Sequence, residues 1–173
     1  DEAYLPYGGG EAESAISLVS RLPAALVLRT LSKAHGLAGL RVGYVAAEPG
    51  LAARLARHRL RNGVGTPAEE VVAAALADRA HLQHVTDLNA RARDALTCGL
   101  SRLGFRPFAS SANFVLADVG PAAASLEAGL ASRGILVHRP PDRPDALRVT
   151  TATLADMQRM LRELERLLRG KEP

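Results

Sequence analysis

The segment RTLSKAHGLAGLRVGY, residues 29–44, places a lysine after two hydroxyl side chains and before a glycine-rich turn. The chain has 22 basic residues, and just two of them, Lys33 and Lys171, are lysines. Arginine stays protonated at any accessible pH, whereas a lysine can lose its proton in a suitable environment. Because a neutral amine is what attacks an aldehyde to form a Schiff base, Lys33 is a candidate nucleophile. Lys171, near the end of the sequence, is predicted to be a solvated residue.

Length and composition predict an ordinary globular protein. The 173 residues suffice for one domain or one and a half, and 47% of them are hydrophobic. No apolar run approaches the length of a membrane span, and no basic-then-apolar leader is present, so no membrane partner is predicted. The single cysteine, Cys98, excludes a disulfide framework and predicts a reducing, cytoplasmic location. Cys98 itself is predicted to be a small buried hydrophobe.

The positive charge of the chain does not predict nucleic-acid binding. The net charge is +4, and the densest basic segment is ARLARHRLRNG, residues 53–63. However, aromatic residues make up 3% of the chain, and no stacking platform interleaves them with basic side chains. We interpret the basic segment as the solvated face of a helix. The positive balance favours anionic small molecules as ligands, and no metal site is predicted.

The first part of the chain has the pattern of a parallel α/β sheet. Residues 1–10 are typical of a strand that leads into a loop, and residues 24–29 form a short apolar run of the kind buried in parallel sheets. Residues 40–47 predict a further strand. Helices are predicted at residues 11–21, at residues 49–60 and from Thr66, where Thr-Pro-Ala-Glu is a capping box with proline at the first helical position.

The last ~85 residues have the pattern of a small α+β unit. A long helix over residues 81–103, ended by Gly104, connects the two parts. We therefore predict residues 1–80 to belong to a large domain and residues 104–173 to form a small one. Strands are predicted at FRPF, NFVLADV, GILVHR and LRVTT, and helices at residues 121–132 and after a cap at Thr153, the latter with Met157, Leu161, Leu164 and Leu168 on one apolar face.

Three motifs resemble one enzyme family. DEAY at residues 1–4, TLSKAHGLAGLRVGY at 30–44 and LRVTTAT at 147–153 are similar to fold-type I, class I/II aminotransferases, which use pyridoxal phosphate. The residues around the lysine are most similar to the histidinol-phosphate aminotransferase group. The resemblance covers essentially the whole chain, as the C-terminal half of such an enzyme. It implies an α/β fold in which part of a large domain with a parallel sheet precedes a small α+β domain.

The resemblance implies three residues at the reacting part of the cofactor. Lys33 would hold pyridoxal phosphate as a Schiff base and then act as the acid and base that moves a substrate proton. Asp1 would pair with the pyridinium nitrogen, which keeps the ring protonated and able to absorb electrons. Tyr4 would hydrogen-bond to the phenolic oxygen of the cofactor.

The resemblance also implies three residues at the cofactor phosphate. Arg41 would bind the phosphate through a charge-assisted fork, and Thr30 and Ser32 would add hydroxyl donors. Arg41 lies between Gly39 and Gly43, in a tight turn that enters a predicted strand. This position favours a binding role over that of an ordinary surface arginine.

Substrate recognition is implied for the second half of the chain. Arg148 would bind the substrate α-carboxylate bidentately, and Asn113 in SSANFVL matches a family position near the site. Related enzymes end the preceding strand in an arginine that helps hold the substrate phosphate, but here that register holds His138, and Arg139 comes next. Neighbouring strand residues point to opposite faces, so Arg139 is a candidate phosphate ligand provided that the strand slips by one residue.

Transamination in histidine biosynthesis is the function that the resemblance implies. The reaction would be a ping-pong transfer between glutamate/2-oxoglutarate and an imidazole-bearing amino-alcohol phosphate, in a homodimer that shares its sites. Alternatives within the enzyme class are an aromatic amino-acid aminotransferase and a threonine-phosphate-type decarboxylase. A non-catalytic fragment is the alternative from another class, because the chain begins at Asp1 and lacks the N-terminal half of the family with its phosphate-binding loop.

Overall fold

The computed structural model describes residues 1–8 and 14–170. The chain divides into two compact units, Asp1–Thr86 and Asp87–Pro173. Lys171 and the first residues of the helix predicted at 11–21 lie outside the described residues. No helix in the described part of the chain combines the length and the apolar character needed to cross a membrane.

A two-stranded antiparallel sheet forms the centre of the first unit. Strand β1 is Leu26–Thr30 and strand β2 is Gly43–Ala47, with Leu26 opposite Ala47 and Thr30 opposite Gly43. The strands predicted at residues 24–29 and 40–47 overlap these bounds, whereas the strand predicted at the start of the chain is wrong for residues 1–8, which contain a 3₁₀ helix instead. The predicted parallel sheet is also wrong for the described residues. A parallel pair needs a long crossover, usually a helix, whereas here the chain reverses through tight turns and the 3₁₀ helix Ala38–Leu40.

The helices of the first unit are shorter than the sequence pattern predicts. Helix α1 is Pro49–Ala56, and the Glu48 carboxylate accepts hydrogen bonds from the backbone N–H groups at its start. Helix α2 is Thr66–Ala77. The predicted capping box is wrong, because Thr66 is already helical and the N-cap is Gly65, which has no side chain to offer. Among the described residues of the first unit, the other 3₁₀ turns are Leu5–Tyr7 and Ala15–Leu18, the latter within the predicted helix 11–21.

The second unit is a three-stranded antiparallel sheet with helices packed on one face. Helix α3, Arg79–Arg102, begins in the first unit and continues into the second. The strands are β3, Arg106–Pro107, β4, Phe114–Asp118, and β5, Ala146–Thr150, in the order β3-β4-β5. Helix α4 is Ala123–Ala131, preceded by the 3₁₀ turn Gly120–Ala122, and helix α5 is Leu154–Arg169. The predicted strand GILVHR is reduced to a single bridge between His138 and Arg148.

Successive side chains along β4 and β5 point to opposite faces of the sheet, and this alternation decides which residues lie in the core of the second unit. Val115 lies opposite Val149 and Ala117 lies opposite Leu147, and all four are buried against α3, α4 and α5. The intervening residues therefore point to the other face of the sheet. That face carries Phe114, Leu116 and Arg148, with His138 bridged to Arg148.

The end of the chain follows the sequence prediction closely. Thr153 is the N-cap of α5, and its hydroxyl accepts a hydrogen bond from the Asp156 N–H at 3.2 Å. Met157 and Leu164 are buried, and Leu161 and Leu168 pack against the same core. The predicted apolar face of α5 is confirmed. Cys98, in contrast, is exposed on α3, so its predicted burial is wrong.

Candidate active site

Lys33 projects from a loop that is held in place on both sides. Leu31 and Ala34 are 2% and 3% exposed, so the flanking residues are buried while the lysine side chain is exposed. The Gly36 N–H donates to the Lys33 carbonyl at 2.9 Å, and the Leu37 N–H donates to the Leu31 carbonyl at 3.0 Å. The loop thus presents a single amine to solvent from an anchored backbone.

Tyr4 is the aromatic residue next to the Lys33 amine. The Nζ atom of Lys33 lies 5.4 Å from the centroid of the Tyr4 ring. The segment that carries Tyr4 is attached to β1, because the Glu2 N–H donates to the Leu28 carbonyl at 2.8 Å. Asp1 is exposed, and one of its carboxylate oxygens accepts a hydrogen bond from the Ala3 N–H at 2.9 Å. The first unit therefore brings Lys33 and the residue 1–4 segment together.

Thr30 and Ser32 form a compact hydroxyl pair at the end of β1. The Thr30 hydroxyl donates to the Ser32 Oγ atom at 2.9 Å, and the Ser32 N–H donates to the Thr30 hydroxyl at 3.1 Å. Both residues are partly buried. Local side-chain to backbone bonds of this kind order a turn, so the pair fixes the start of the loop that carries Lys33.

Arg41 has an unusual backbone conformation for a long side chain. Its φ of 55° and ψ of 40° lie in the left-handed region, which costs an L-residue roughly 1–2 kcal/mol. The guanidinium is exposed, and its Nη1 atom donates to the Ala38 carbonyl at 2.8 Å. Arg41 caps the C-terminus of the 3₁₀ helix Ala38–Leu40, a position where the left-handed conformation is common.

The sequence interpretation missed a partly buried polar cluster beside these residues. The Glu2 carboxylate lies 3.0 Å from the Arg29 Nε atom and accepts hydrogen bonds from the Ser14 hydroxyl and the Ala15 N–H. Arg29 also donates to the Tyr44 hydroxyl at 3.3 Å. The acidic residue and the arginine are far apart in the chain, so no local spacing could have indicated their pairing.

The environment of the Glu2 carboxyl keeps it ionised. Burial acts to raise the pKa of this group, but the Ala15 N–H, the Ser14 hydroxyl and the Arg29 guanidinium together hold it below the usual 4.5. A carboxyl whose pKa is lowered in the folded state stabilises that state above its ordinary pKa. The stabilisation is therefore present at neutral pH and is lost as the pH falls below about 4.5.

A cavity of about 500 Å³ opens in the first unit beside β1 and β2. Thr30 is the one predicted cofactor residue that lines it, together with Arg29 and Tyr44 from the polar cluster. His35, which we interpreted as a plain loop residue, also lines the cavity. Burial lowers the pKa of this imidazole, and a hydrogen bond with the backbone of Ala75 attaches it to α2.

The predicted substrate residues lie in the second unit. The Arg148 guanidinium stacks over the Phe114 ring, with its central carbon 4.0 Å from the ring centroid. His138 pairs with Arg148 through two backbone hydrogen bonds, of 3.1 and 2.7 Å, so the two side chains share the face of the sheet opposite the core. Asn113 precedes Phe114, and its carbonyl accepts from the N–H and hydroxyl of Thr151.

Arg139 is not on the face that carries Arg148. The strand does not slip, because His138 is the residue bridged to Arg148. Arg139 instead forms an ion pair with Glu127 of α4, with 3.0 Å between its Nε atom and the carboxylate. The structure therefore does not bring this predicted substrate ligand to Arg148, and it places His138 there instead. Within residues 1–8 and 14–170, no group of His, Cys, Asp and Glu side chains is placed to hold a metal ion.

Comparison with known proteins assigns the family. The model of the class I and II aminotransferases matches residues 1–164. The chain belongs to this family. The histidinol-phosphate aminotransferase 1 of Cupriavidus pinatubonensis is 40% identical over 176 residues, which cover 98% of this chain and 46% of that protein. The histidinol-phosphate aminotransferase of Gluconacetobacter diazotrophicus is 42% identical over 161 residues, which cover 88% of this chain and 44% of that protein.

A solved member of the aminotransferase family has the same fold over this chain. The histidinol-phosphate aminotransferase from Sinorhizobium meliloti, determined in complex with pyridoxal-5'-phosphate, superposes with a TM-score of 0.83 at 32% identity. The match covers 98% of this chain and 48% of that structure. The α/β architecture described above thus corresponds to half of such an enzyme, and the chain spans about half the length of the relatives that it matches.

Proposed function

We propose that this chain carries the cofactor lysine of a pyridoxal-phosphate-dependent transaminase of the histidinol-phosphate type. The observation that carries the proposal is the exposed Lys33 amine, 5.4 Å from the Tyr4 ring, on an anchored loop. Lys33 is the one lysine of the described residues, so it is the side-chain amine there that could react with an aldehyde. Membership of the aminotransferase family supports the same role.

The residues around Lys33 fit the cofactor chemically. Pyridoxal phosphate supplies an aldehyde that a lysine can bind and a ring that absorbs electrons when a substrate loses a proton. We assign Lys33 to bind the aldehyde and to move that proton at its amine. Asp1 would accept the ring N–H, and Tyr4 would donate its hydroxyl to the ring oxygen. Asp1 and Tyr4 both belong to the residue 1–4 segment, which is attached to β1 and carries the Tyr4 ring beside the lysine amine.

Arg41, Thr30 and Ser32 are assigned to the cofactor phosphate. The guanidinium of Arg41 is exposed, so a phosphate could replace the carbonyl that it now contacts with a stronger, charge-assisted bond. The paired hydroxyls of Thr30 and Ser32 sit at the end of β1, two residues apart, where each could rotate to donate. An electropositive loop with hydroxyl donors matches the chemistry of a phosphate monoester.

The substrate is assigned to the face of the second unit that carries Arg148. Stacking on Phe114 fixes the plane of the guanidinium, which suits bidentate recognition of a carboxylate or phosphate. His138 shares that face and Asn113 borders it, so we include both, whereas the Glu127 pair argues against Arg139. We propose histidinol phosphate and glutamate/2-oxoglutarate as the substrate pair, because the two relatives described above are named for the former.

The domain assignment is part of the proposal. We propose that residues 1–80 belong to a large cofactor domain, 81–103 to a connecting helix and 104–173 to a small domain, in a homodimer. On the sheet of the first unit, Leu26, Leu28 and Val45 share a face and are 42%, 41% and 43% exposed. Such a contiguous apolar face supports the presence of further polypeptide over it in the working enzyme.

The proposed function is tested by cofactor labelling. Pyridoxal phosphate is titrated into the chain and into a chimera in which the Cupriavidus relative supplies the missing half. Binding is followed by the absorbance band near ~400 nm, and borohydride then makes the lysine–aldehyde bond permanent for peptide mapping. We expect label on Lys33, in one or both proteins. Absence of label in both, with the chimera folded by circular dichroism, contradicts the proposal and favours a non-catalytic fragment.

The substrate assignment is tested separately in the cofactor-loaded protein without borohydride, because reduction of the lysine–aldehyde bond would block turnover. Histidinol phosphate, phenylalanine and threonine phosphate are each offered with 2-oxoglutarate, and glutamate and carbon dioxide are measured. Glutamate formed preferentially from histidinol phosphate supports the assignment. Preferential turnover of phenylalanine, or carbon dioxide from threonine phosphate, would replace it with one of the two alternative activities.

Arg41→Gly is expected to weaken cofactor binding without destabilising the chain. The left-handed conformation suits glycine, so relief of backbone strain and the greater freedom of the unfolded chain offset each other to within about 1 kcal/mol. Loss of the charge-assisted phosphate contact should raise the Kd of pyridoxal phosphate about 10- to 100-fold. The measurements are the absorbance titration and urea unfolding.

Asn62→Gly is the matched control for this substitution. Asn62 also has a positive φ, of 57°, and has no assigned role. The control should leave the Kd of the cofactor unchanged. A Kd that rises equally in both variants would assign the effect to backbone freedom rather than to the Arg41 guanidinium.

A further inference from the structure

The side chain of Glu2 is locked in a dense set of contacts. Its Oε2 atom lies 3.0 Å from the Arg29 Nε atom, and the Ser14 hydroxyl donates to the same carboxylate at 2.9 Å. The Ala15 N–H donates to its Oε1 atom at 2.7 Å. The Glu2 and Arg29 side chains are 10% and 15% exposed. Ion pairs with so little exposure are screened less by solvent and salt than pairs on the surface.

Arg29 connects this carboxylate to both strands of the first sheet. The residue lies on β1, and its Nη2 atom donates to the Ser14 hydroxyl at 2.8 Å. Its Nη1 atom donates to the hydroxyl of Tyr44, the residue opposite it on β2. One guanidinium therefore joins Glu2, the start of the 3₁₀ helix Ala15–Leu18 and the pair β1–β2.

The two partners sit next to the residues assigned to the cofactor. Glu2 lies between Asp1 and Tyr4, and Arg29 immediately precedes Thr30 at the start of the loop that carries Lys33. We propose that the Glu2–Arg29 pair is a positioning element that fixes the Tyr4 segment against the Lys33 loop. This inference rests on the proposed function of Lys33 and concerns neither a contact with the cofactor nor a chemical step.

The geometry explains why such an element is needed. Besides this cluster, the residue 1–4 segment is attached to β1 by the Glu2 N–H bond to the Leu28 carbonyl. A displacement of about 1 Å at a reacting group costs up to about 100-fold in rate, so the orientation of the segment matters as well as its position. The ion pair adds a side-chain attachment to this backbone bond, and the two together constrain where the Tyr4 segment lies relative to the amine.

Glu2→Gln tests the proposal with little change in shape. The amide can still accept from Ala15 and Ser14 but lacks the charge that holds Arg29. Glu163→Gln is the matched control, since Glu163 is 16% exposed, lies 3.1 Å from Arg133 and belongs to the second unit. Arg29→Lys is a further variant, which keeps the charge but loses the fork to Ser14 and Tyr44. Each is made in the chain and in the chimera.

The readouts separate positioning from general stability. They are the pyridoxal phosphate concentration that half-saturates labelling of Lys33, the pH midpoint of the absorbance band, and hydrogen exchange of the Tyr7 and Gly36 amides. These amides donate to the Tyr4 and Lys33 carbonyls. We expect Glu2→Gln and Arg29→Lys to raise the half-saturating concentration about 10- to 100-fold, shift the midpoint and accelerate exchange at Tyr7. Glu163→Gln should change none of them.

Two outcomes overturn the inference. One is labelling of Glu2→Gln at the wild-type concentration with an unchanged pH midpoint, whatever happens to its overall stability. The other is unchanged exchange at Tyr7 and Gly36, which can be measured without any cofactor. If wild-type Lys33 is never labelled, the proposed function fails instead, and the exchange result alone decides whether Glu2 positions the Tyr4 segment.

Discussion

Lys33→Ala is expected to abolish covalent binding of pyridoxal phosphate and to lower any transamination rate by at least roughly 10²- to 10⁴-fold. That range is what a positioned acid–base group contributes, and the lysine additionally supplies the nucleophile for the aldehyde. The side chain is exposed on a loop anchored by Leu31 and Ala34, so its removal should leave the fold unchanged. The measurements are borohydride labelling, the absorbance band and glutamate formation.

The second lysine of the chain provides the control for this prediction. Lys33→Arg keeps a positive charge but offers no neutral amine, so it should behave like Lys33→Ala. Lys171→Arg makes the identical change at the other lysine and should retain wild-type labelling. Label that persists in Lys33→Arg and disappears in Lys171→Arg would transfer the assigned role from Lys33 to Lys171.

Leu96→Ala is expected to destabilise the second unit by about 2–5 kcal/mol, the range for removing a large apolar side chain from a core. Leu96 is 0% exposed on α3 and packs among the buried residues of β4, α4 and α5. Without its side chain, the rigid neighbours can close the cavity only in part. The effect is measured by urea unfolding, with hydrogen exchange of the β4 and β5 amides reporting on the second unit alone.

Leu88→Ala is the matched control for the core prediction. Leu88 lies on the same helix and is 46% exposed, and both substitutions have the same effect on helix propensity. The control should change the free energy of unfolding by less than about 0.5 kcal/mol. Equal losses in the two variants would show that α3 itself, rather than the packing of Leu96, limits the stability of the unit.

Local signals in the sequence were enough to predict the loop around Lys33 and the cap and apolar face of the last helix. The hydroxyl pair before the lysine, the glycine-rich turn and the cap at Thr153 all act over a few residues, and the apolar face of α5 follows from helical spacing. The roles of Lys33, Arg41 and Arg148 remain predictions. They depend on family resemblance, because the charge of a residue does not reveal what it binds.

Features that depend on distant residues were missed or predicted wrongly. The path of the chain between β1 and β2 decides whether the two strands run parallel or antiparallel. The composition of an apolar run is the same in both cases, so it could not reveal the direction. The Glu2–Arg29 pair joins residues that share no periodicity. Arg139 was a substrate candidate on condition that the strand slipped by one residue, and the bridge from His138 to Arg148 keeps the register without that slip.

The left-handed backbone of Arg41 determines which substitutions evolution can accept at this position. Since glycine would occupy the position with a change in stability of no more than about 1 kcal/mol, folding exerts little selection to keep the arginine there. The proposed contact with the cofactor phosphate would maintain it. In a lineage released from catalysis, position 41 should therefore drift to glycine or asparagine early, while Leu31 and Leu96 stay apolar. The identity of this one residue in descendants of the chain would then report whether the ancestral chemistry is still under selection.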